Sequence, residues 1–148
     1  EETVLQTHRW LIDVAPDDFD VTIITTYPGT PYYDEAVAHP SIPGQWTYTY
    51  AKTGDRLHMS ELDYMQVADY YKGDPDGGYR AFVWTDMLSS NDLVRLRDFV
   101  ERDVRARLAI PFNPGAPAIQ FEHSMGQPAA RLPLTMLRKS EARSRAVR

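Results

Sequence analysis

The 148-residue chain contains no cysteine. That excludes disulfides, thiol nucleophiles and thiolate-held metals within it. It also excludes an iron–sulfur cluster on the chain's own ligands, because cysteine thiolates hold such clusters. No apolar run approaches the roughly 18 residues of a membrane span, so no membrane partner is expected. Phosphate loops, dinucleotide fingerprints and nucleophile elbows are missing too. The four histidines, His8, His39, His58 and His123, form no close metal pair. No two carboxylates have a spacing that demands glycosidase chemistry. The start, Glu1-Glu2-Thr3, is polar and acidic, unlike a secretory leader, which opens basic and turns apolar. A start without Met, directly on a helical pattern, leads to the expectation of further sequence upstream, and the absence of cysteine favours a reducing compartment, hence the expectation of a cytoplasmic protein.

What is present suits about one domain, with apolar and aromatic residues enough for a core. The net charge of −5 is unevenly spread. Beyond Glu122, Arg131, Arg138, Lys139, Arg143, Arg145 and Arg148 face Glu141 alone. A basic end can meet nucleic acid or stay solvated. No aromatic residues interleave with these arginines as single-strand binding needs, so no nucleic-acid partner is expected. Residues 138–148 read as a basic disordered tail.

Val4, Leu5, His8, Leu11, Ile12 and Ala15 repeat at three- and four-residue steps, which predicts an amphipathic helix over residues 1–15, stopped by Pro16. Residues 19–25 read as a strand buried on both faces, with Val21, Ile23 and Ile24 β-branched. Helix, short loop and buried strand make half of a β/α unit, whose partner strand would lie upstream and leave an open pairing edge. Pro28-Gly29 fits the central positions of a type II turn. A short helix is expected over residues 32–39, stopped by Pro40, Pro43 and Gly44.

Trp46, Tyr48 and Tyr50 alternate with Thr47 and Thr49, and Leu57 and Met59 resume the alternation after Lys52-Thr53-Gly54-Asp55. That predicts a β-hairpin. Residues 61–71 are open between strand and helix, residues 72–78 read as a loop, and residues 79–85 as a strand. A long helix is expected over residues 91–109, with Ser89 and Asp92 as a capping box. Its buried stripe is Leu93, Leu96, Val100, Val104 and Leu108. The pairs Asp98–Arg102 and Glu101–Arg105 are expected on the wet side.

The candidate site is the strand exit Thr25-Thr26-Tyr27-Pro28-Gly29-Thr30. In parallel β/α folds ligands sit at the carboxyl ends of strands, although a plain turn leaving a strand explains the same residues. His8 reads as a core or rim residue, and His58 as a partner of Asp55 or Glu61. Glu122-His123 has acid/base chemistry available but is a commonplace pair. The aromatic residues Trp46, Tyr48, Tyr50, Tyr64, Tyr70 and Tyr71 read as packing rather than as a stacking platform.

Glu2-Thr3, Pro16-Asp17, Val21 to Thr25, Tyr27 to Pro31 and Tyr32-Tyr33 together resemble the radical S-adenosylmethionine (radical SAM) enzymes. The later residues resemble members with an upstream cobalamin-binding domain. They are Tyr79, Thr85-Asp86, Arg97-Asp98, Val104-Arg105, Leu108, Ile110-Pro111-Phe112-Asn113 and Glu122-His123-Ser124-Met125-Gly126-Gln127. The resemblance covers roughly residues 1–33 and most of 60–138. The family's three-cysteine cluster motif has no counterpart here.

The resemblance implies an α/β chain. It would carry the last helix and strand of a partial β/α (TIM-type) barrel over residues 1–39, then an α+β extension with a hairpin and a long helix over 40–137. It implies S-adenosylmethionine and a [4Fe–4S] cluster as cofactors of the intact enzyme, with the cluster ligands outside this chain, and cobalamin in the subgroup. Glu2, Thr25, Thr26 and Tyr27 would border the adenosine site, and the hairpin and long helix would cap the opening to a small-molecule substrate. The partners implied are the upstream barrel and a cobalamin-binding domain of the same protein. The rival reading is a non-enzymatic accessory or binding domain.

Overall fold

Periodicity decides the first element. Helix α1 (Glu2–Val14) turns Val4, His8, Leu11 and Ile12 inward and leaves Trp10 and Val14 exposed. It ends at Ala15, whose left-handed backbone (φ 48°) lets its N–H reach the Leu11 carbonyl; Pro16 follows, which cannot donate to a further turn. The computed structural model describes residues 1–60, 67–70, 80–111 and 119–122.

Helix α2 (Pro31–Asp34) is a single turn with Thr30 as N-cap and Pro31 at its first position. The helix expected over residues 32–39 therefore stops early, and the chain enters strand β1 (Val37–Ala38). The hairpin forms as expected. Strands β2 (Gln45–Thr49) and β3 (Arg56–Ser60) pair antiparallel, with Trp46 opposite Met59 and Thr47 opposite His58. Gly54, at φ 78°, carries the turn between them.

Strand β4 (Val67–Tyr70) settles part of the stretch left open between strand and helix. Strand β5 (Val83–Thr85) is shorter than the strand expected over residues 79–85. The sheet order is β1-β2-β3-β5, and every pairing is antiparallel. Strand β6 (Ile119–Glu122) pairs antiparallel with β4, in a stretch where the sequence shows no periodicity. The loop at 72–78, the pair partner His123 and the tail at 138–148 lie outside the described residues.

Helix α3 (Ser90–Leu108) opens on the expected capping box: the Ser89 hydroxyl accepts from the Asp92 N–H, and the Asp92 carboxylate accepts from the Ser89 N–H. Leu96, Val100 and Val104 are buried along one stripe. Val100 and Val104 pack with Leu11 of α1, flanked by Val4, Ile12, Phe19, Val21 and Leu108. Met59 and Val83, opposite each other in register, are buried on the sheet face that meets this layer.

The strand expected over residues 19–25 does not form: no ladder pairs these residues among those described. Nor are both faces covered. Val21 and Ile23 are half-buried, whereas Thr22 and Ile24 are exposed. Backbone groups need partners, and at Val21 they find side chains of α3 in place of a neighbouring strand. The described residues thus build a mixed α/β arrangement with a four-stranded antiparallel sheet.

Candidate functional site

The exit from residues 19–25 takes the turn its sequence requires. Gly29 sits at φ 87°, and the Thr30 N–H donates to the Tyr27 carbonyl at 3.1 Å, the geometry of a type II turn with Pro28 and Gly29 at its centre. The Thr30 hydroxyl adds a second bond to that carbonyl at 2.7 Å, and the Asp34 carboxylate accepts from the Gly29 N–H at 3.1 Å. The Tyr27 carbonyl is therefore committed to the turn. Thr26 and Pro28 are buried, and Thr25 and Tyr27 half-buried. Glu2 stands in the exposed first turn of α1, 3.5 Å from Arg9.

A cleft of about 270 Å³ runs alongside, lined chiefly by apolar groups: Val4, Ile23 and Ile24, Leu57 and Val83 of the sheet, and Leu96 of α3. Neither Glu2 nor Thr25, Thr26 or Tyr27 lines it. Its volume is at the small end for a ligand pocket, and its lining offers one cation, Arg97, and few hydrogen-bonding groups. It suits packing of another apolar element better than capture of a charged ligand.

Beneath residues 18–21 lies a charged row on α3. Arg97 and Glu101 are fully buried and Arg105 is 8 % exposed. The Val21 N–H donates to Glu101 Oε1, and Arg97 Nε donates to the Val21 carbonyl at 2.9 Å. Arg105 Nη2 donates to the Phe19 carbonyl and lies 3.2 Å from Asp18, while its Nε bonds Glu101 Oε2 at 2.9 Å. The Arg105 guanidinium also lies over the Phe19 ring, 4.7 Å from its centre. Asp20 Oδ1 is buried 3.8 Å from Arg97 Nη2 and has no hydrogen bond among the described residues. Burial pushes the Glu101 carboxyl above the usual carboxylate range; the Val21 N–H and the two guanidinium groups pull the other way. The expected Glu101–Arg105 pair is thus real but buried, not on the wet side. Asp98 accepts from Arg97 at 2.9 Å.

Two histidine networks complete the polar architecture. Glu61 lies outside the described residues, and His58 partners Asp86 and not Asp55. Its Nε2 lies 2.9 Å from Asp86 Oδ1, and its Nδ1 lies 2.9 Å from the Thr47 hydroxyl. A carboxylate only accepts, so the proton sits on Nε2; in the neutral ring Nδ1 then accepts from Thr47. Arg56 grips Asp86 with two bonds, of 2.8 and 2.9 Å, and Trp84 stacks on the imidazole. The Arg56 hydrogen bonds first, then His58, hold the Asp86 carboxyl below its ordinary range. Threonine, histidine and aspartate are in line here, yet Thr47 does not border the cleft beside residues 23 and 24. On α1, His8 Nε2 meets Asp103 at 2.6 Å and stacks on Phe99. Arg107 and then His8 lower the Asp103 carboxyl. His39 Nδ1 accepts from the Ser41 and Ile42 N–H groups, a loop brace.

Sequence reasoning found the Pro28–Gly29 turn and the inward His8. It missed Asp86, Asp103 and the buried row at 97, 101 and 105. The row had a signal: charges of alternating sign at four-residue steps directly beside the apolar stripe at 96, 100 and 104. Among the described residues no group of three His, Asp or Glu side chains is placed to hold a metal ion, and no helix is long and apolar enough to cross a membrane. Comparison with protein-family models, curated proteins and solved structures yields no match to this chain.

Proposed function

We propose that this chain is the C-terminal part of a radical SAM enzyme of the cobalamin-associated type, bordering the S-adenosylmethionine site and capping the opening to a small-molecule substrate. The observation that carries the reading is the type II turn at Pro28–Gly29, directly after buried Thr26. It ends a segment that follows an amphipathic helix, where a β/α barrel would present its carboxyl rim. The barrel strand itself would need a neighbour from outside residues 1–148.

The residues present do not fit a [4Fe–4S] cluster, since there is no cysteine to ligate one. Any cluster would take its ligands from elsewhere in the protein. The apolar cleft does not suit the charged groups of S-adenosylmethionine, and the Tyr27 carbonyl is committed to the turn, which uses it twice. Cobalamin has no group in the described residues that singles out a place for it.

The test uses the protein made anaerobically from its full coding sequence. Reduction with dithionite in the presence of S-adenosylmethionine should yield 5′-deoxyadenosine. A full-length protein that lacks the three-cysteine motif and yields none would instead favour the accessory-domain reading.

A further inference from the structure

We infer that Arg97, Glu101 and Arg105 act together as a substitute strand, fixing residues 18–21 in register and thereby positioning the Thr25-Thr26-Tyr27 exit; the second half of this inference rests on the function proposed above. In an extended chain the N–H and C=O of alternate residues leave by the same edge. The three backbone groups that α3 binds are the Phe19 carbonyl and the Val21 N–H and carbonyl, all on odd-numbered residues. One edge is sealed, and residues 20, 22 and 24 face the other way.

The repeat lengths agree. Residues four apart on a helix are separated by about 6 Å along its axis. Residues two apart in an extended chain are separated by about 6.6 Å. Glu101 and Arg105 are four apart and bind Val21 and Phe19, which are two apart, so the helix and the segment run antiparallel in step. A one-residue slip would bring residues 20 and 22, whose N–H and C=O leave by the other edge, against α3, so Glu101 would lose its donor and Arg97 and Arg105 their acceptors. Charge reinforces the register: Asp18 lies 3.2 Å from Arg105, and Asp20 3.8 Å from Arg97. A row of this kind ends a sheet without offering an adhesive edge.

The experiment compares Glu101→Ala, Glu101→Gln and Arg97→Leu in the full-length protein. Amide exchange is followed over residues 18–24, and S-adenosylmethionine affinity is measured by calorimetry. Glu101→Ala and Arg97→Leu should each raise exchange at residues 19–21 by about tenfold or more, the equivalent of one lost hydrogen bond. They should weaken S-adenosylmethionine binding, and exchange at residues 19–21 should rise by more than at any other described amide. Glu101→Gln, which keeps an acceptor for the Val21 N–H, should restore most of both. Unchanged exchange at residues 19–21 in Glu101→Ala and Arg97→Leu overturns the substitute strand. Raised exchange with unaltered affinity overturns its positioning role. Wild-type protein that binds no S-adenosylmethionine defeats the proposed function, and with it the positioning role, while the exchange data still decide the substitute strand.

Discussion

Replacing Glu101 by Leu should be among the most damaging single changes available to the described residues. The side chain is fully buried between two guanidinium groups and also accepts the Val21 N–H. Its removal leaves Arg97 and Arg105 with excess buried charge, and breaking a buried pair from one side costs about 3–5 kcal/mol. The stranded Val21 N–H adds to this, but it shares the same network and does not sum independently. Against a total stability of about 5–15 kcal/mol, such a loss removes a large share. Glu101→Gln should be milder, because it keeps one acceptor.

The same physics makes a second expectation that separates charge balance from mere size. Replacing the whole network by apolar groups of similar volume can be neutral or stabilising. Arg97→Met, Glu101→Leu and Arg105→Met combined should therefore recover the part of the loss that comes from uncompensated charge, provided Asp20 is also changed to Ala, while the backbone groups of Phe19 and Val21 still lack partners. Without Arg97, the buried Asp20 Oδ1 would lose its only described neighbour of opposite charge. Asp18 is exposed enough to be solvated and can stay. The assay is urea unfolding near pH 7, comparing midpoints and slopes. Glu101→Leu within about 1 kcal/mol of wild type, well short of the cost of a broken buried pair, would refute the reasoning. So would a fourfold variant no better than the single one. The pH sign also follows. The Glu101 carboxyl is raised in the folded state, so its contribution is present below its unfolded value and lost as pH rises through the folded one. The gap between wild type and Glu101→Gln should therefore widen on acidification through that folded value.

Anaerobic reconstitution of residues 1–148 with iron and sulfide should give no stoichiometric iron and no charge-transfer absorbance, because cysteine is absent; stoichiometric incorporation would contradict this. Gly29→Val should destabilise the turn by about 1–2 kcal/mol or more, since a β-branched residue resists a positive φ. Thermal melts of Gly29→Val and Gly29→Ala check this, and equal midpoints for the wild type and both variants would count against it. Asp103 has a lowered folded value, through Arg107 first and His8 second, so its contribution is present above the unfolded carboxylate value and lost as pH falls through the folded one. Asp103→Asn should flatten that part of the acid-unfolding curve, and an unaltered curve would show that the pair does nothing for stability.

Local chemistry made much of the fold legible. Three- and four-residue spacing gave α1, a capping box gave the start of α3, alternation gave the β2–β3 hairpin, and Pro28-Gly29 gave its turn type. Each of these rests on residues close in sequence, where periodicity and turn geometry act directly. What depended on distant partners was less visible. His58 reaches Asp86, not Asp55, which is nearer in sequence, because the β3–β5 register sets His58 opposite Trp84, two residues before Asp86. Strand β6 gave no sign of itself because its ladder lies with β4, some fifty residues earlier (a pairing that leaves no local period).

The misread strand at residues 19–25 and the misplaced Glu101–Arg105 pair are one error seen from two sides. β-branched residues argued for a strand, and a strand needs something to receive its N–H and C=O groups. Glu and Arg four apart on a helix argued for a solvated pair, the usual fate of such charges. Taken together they satisfy each other: an extended segment without a ladder needs donors and acceptors along one edge, and α3 supplies them at 97, 101 and 105. A narrow apolar stripe at strict four-residue spacing is the clue to this arrangement. Helix α3 buries Leu96, Val100 and Val104 but also the charged residue that follows each of them. A wet face would have left that second row exposed. Its burial is affordable only because every charge in it meets backbone or an opposite charge, so the row at 97, 101 and 105 and the unladdered chain at 19–21 have to be read as a single element.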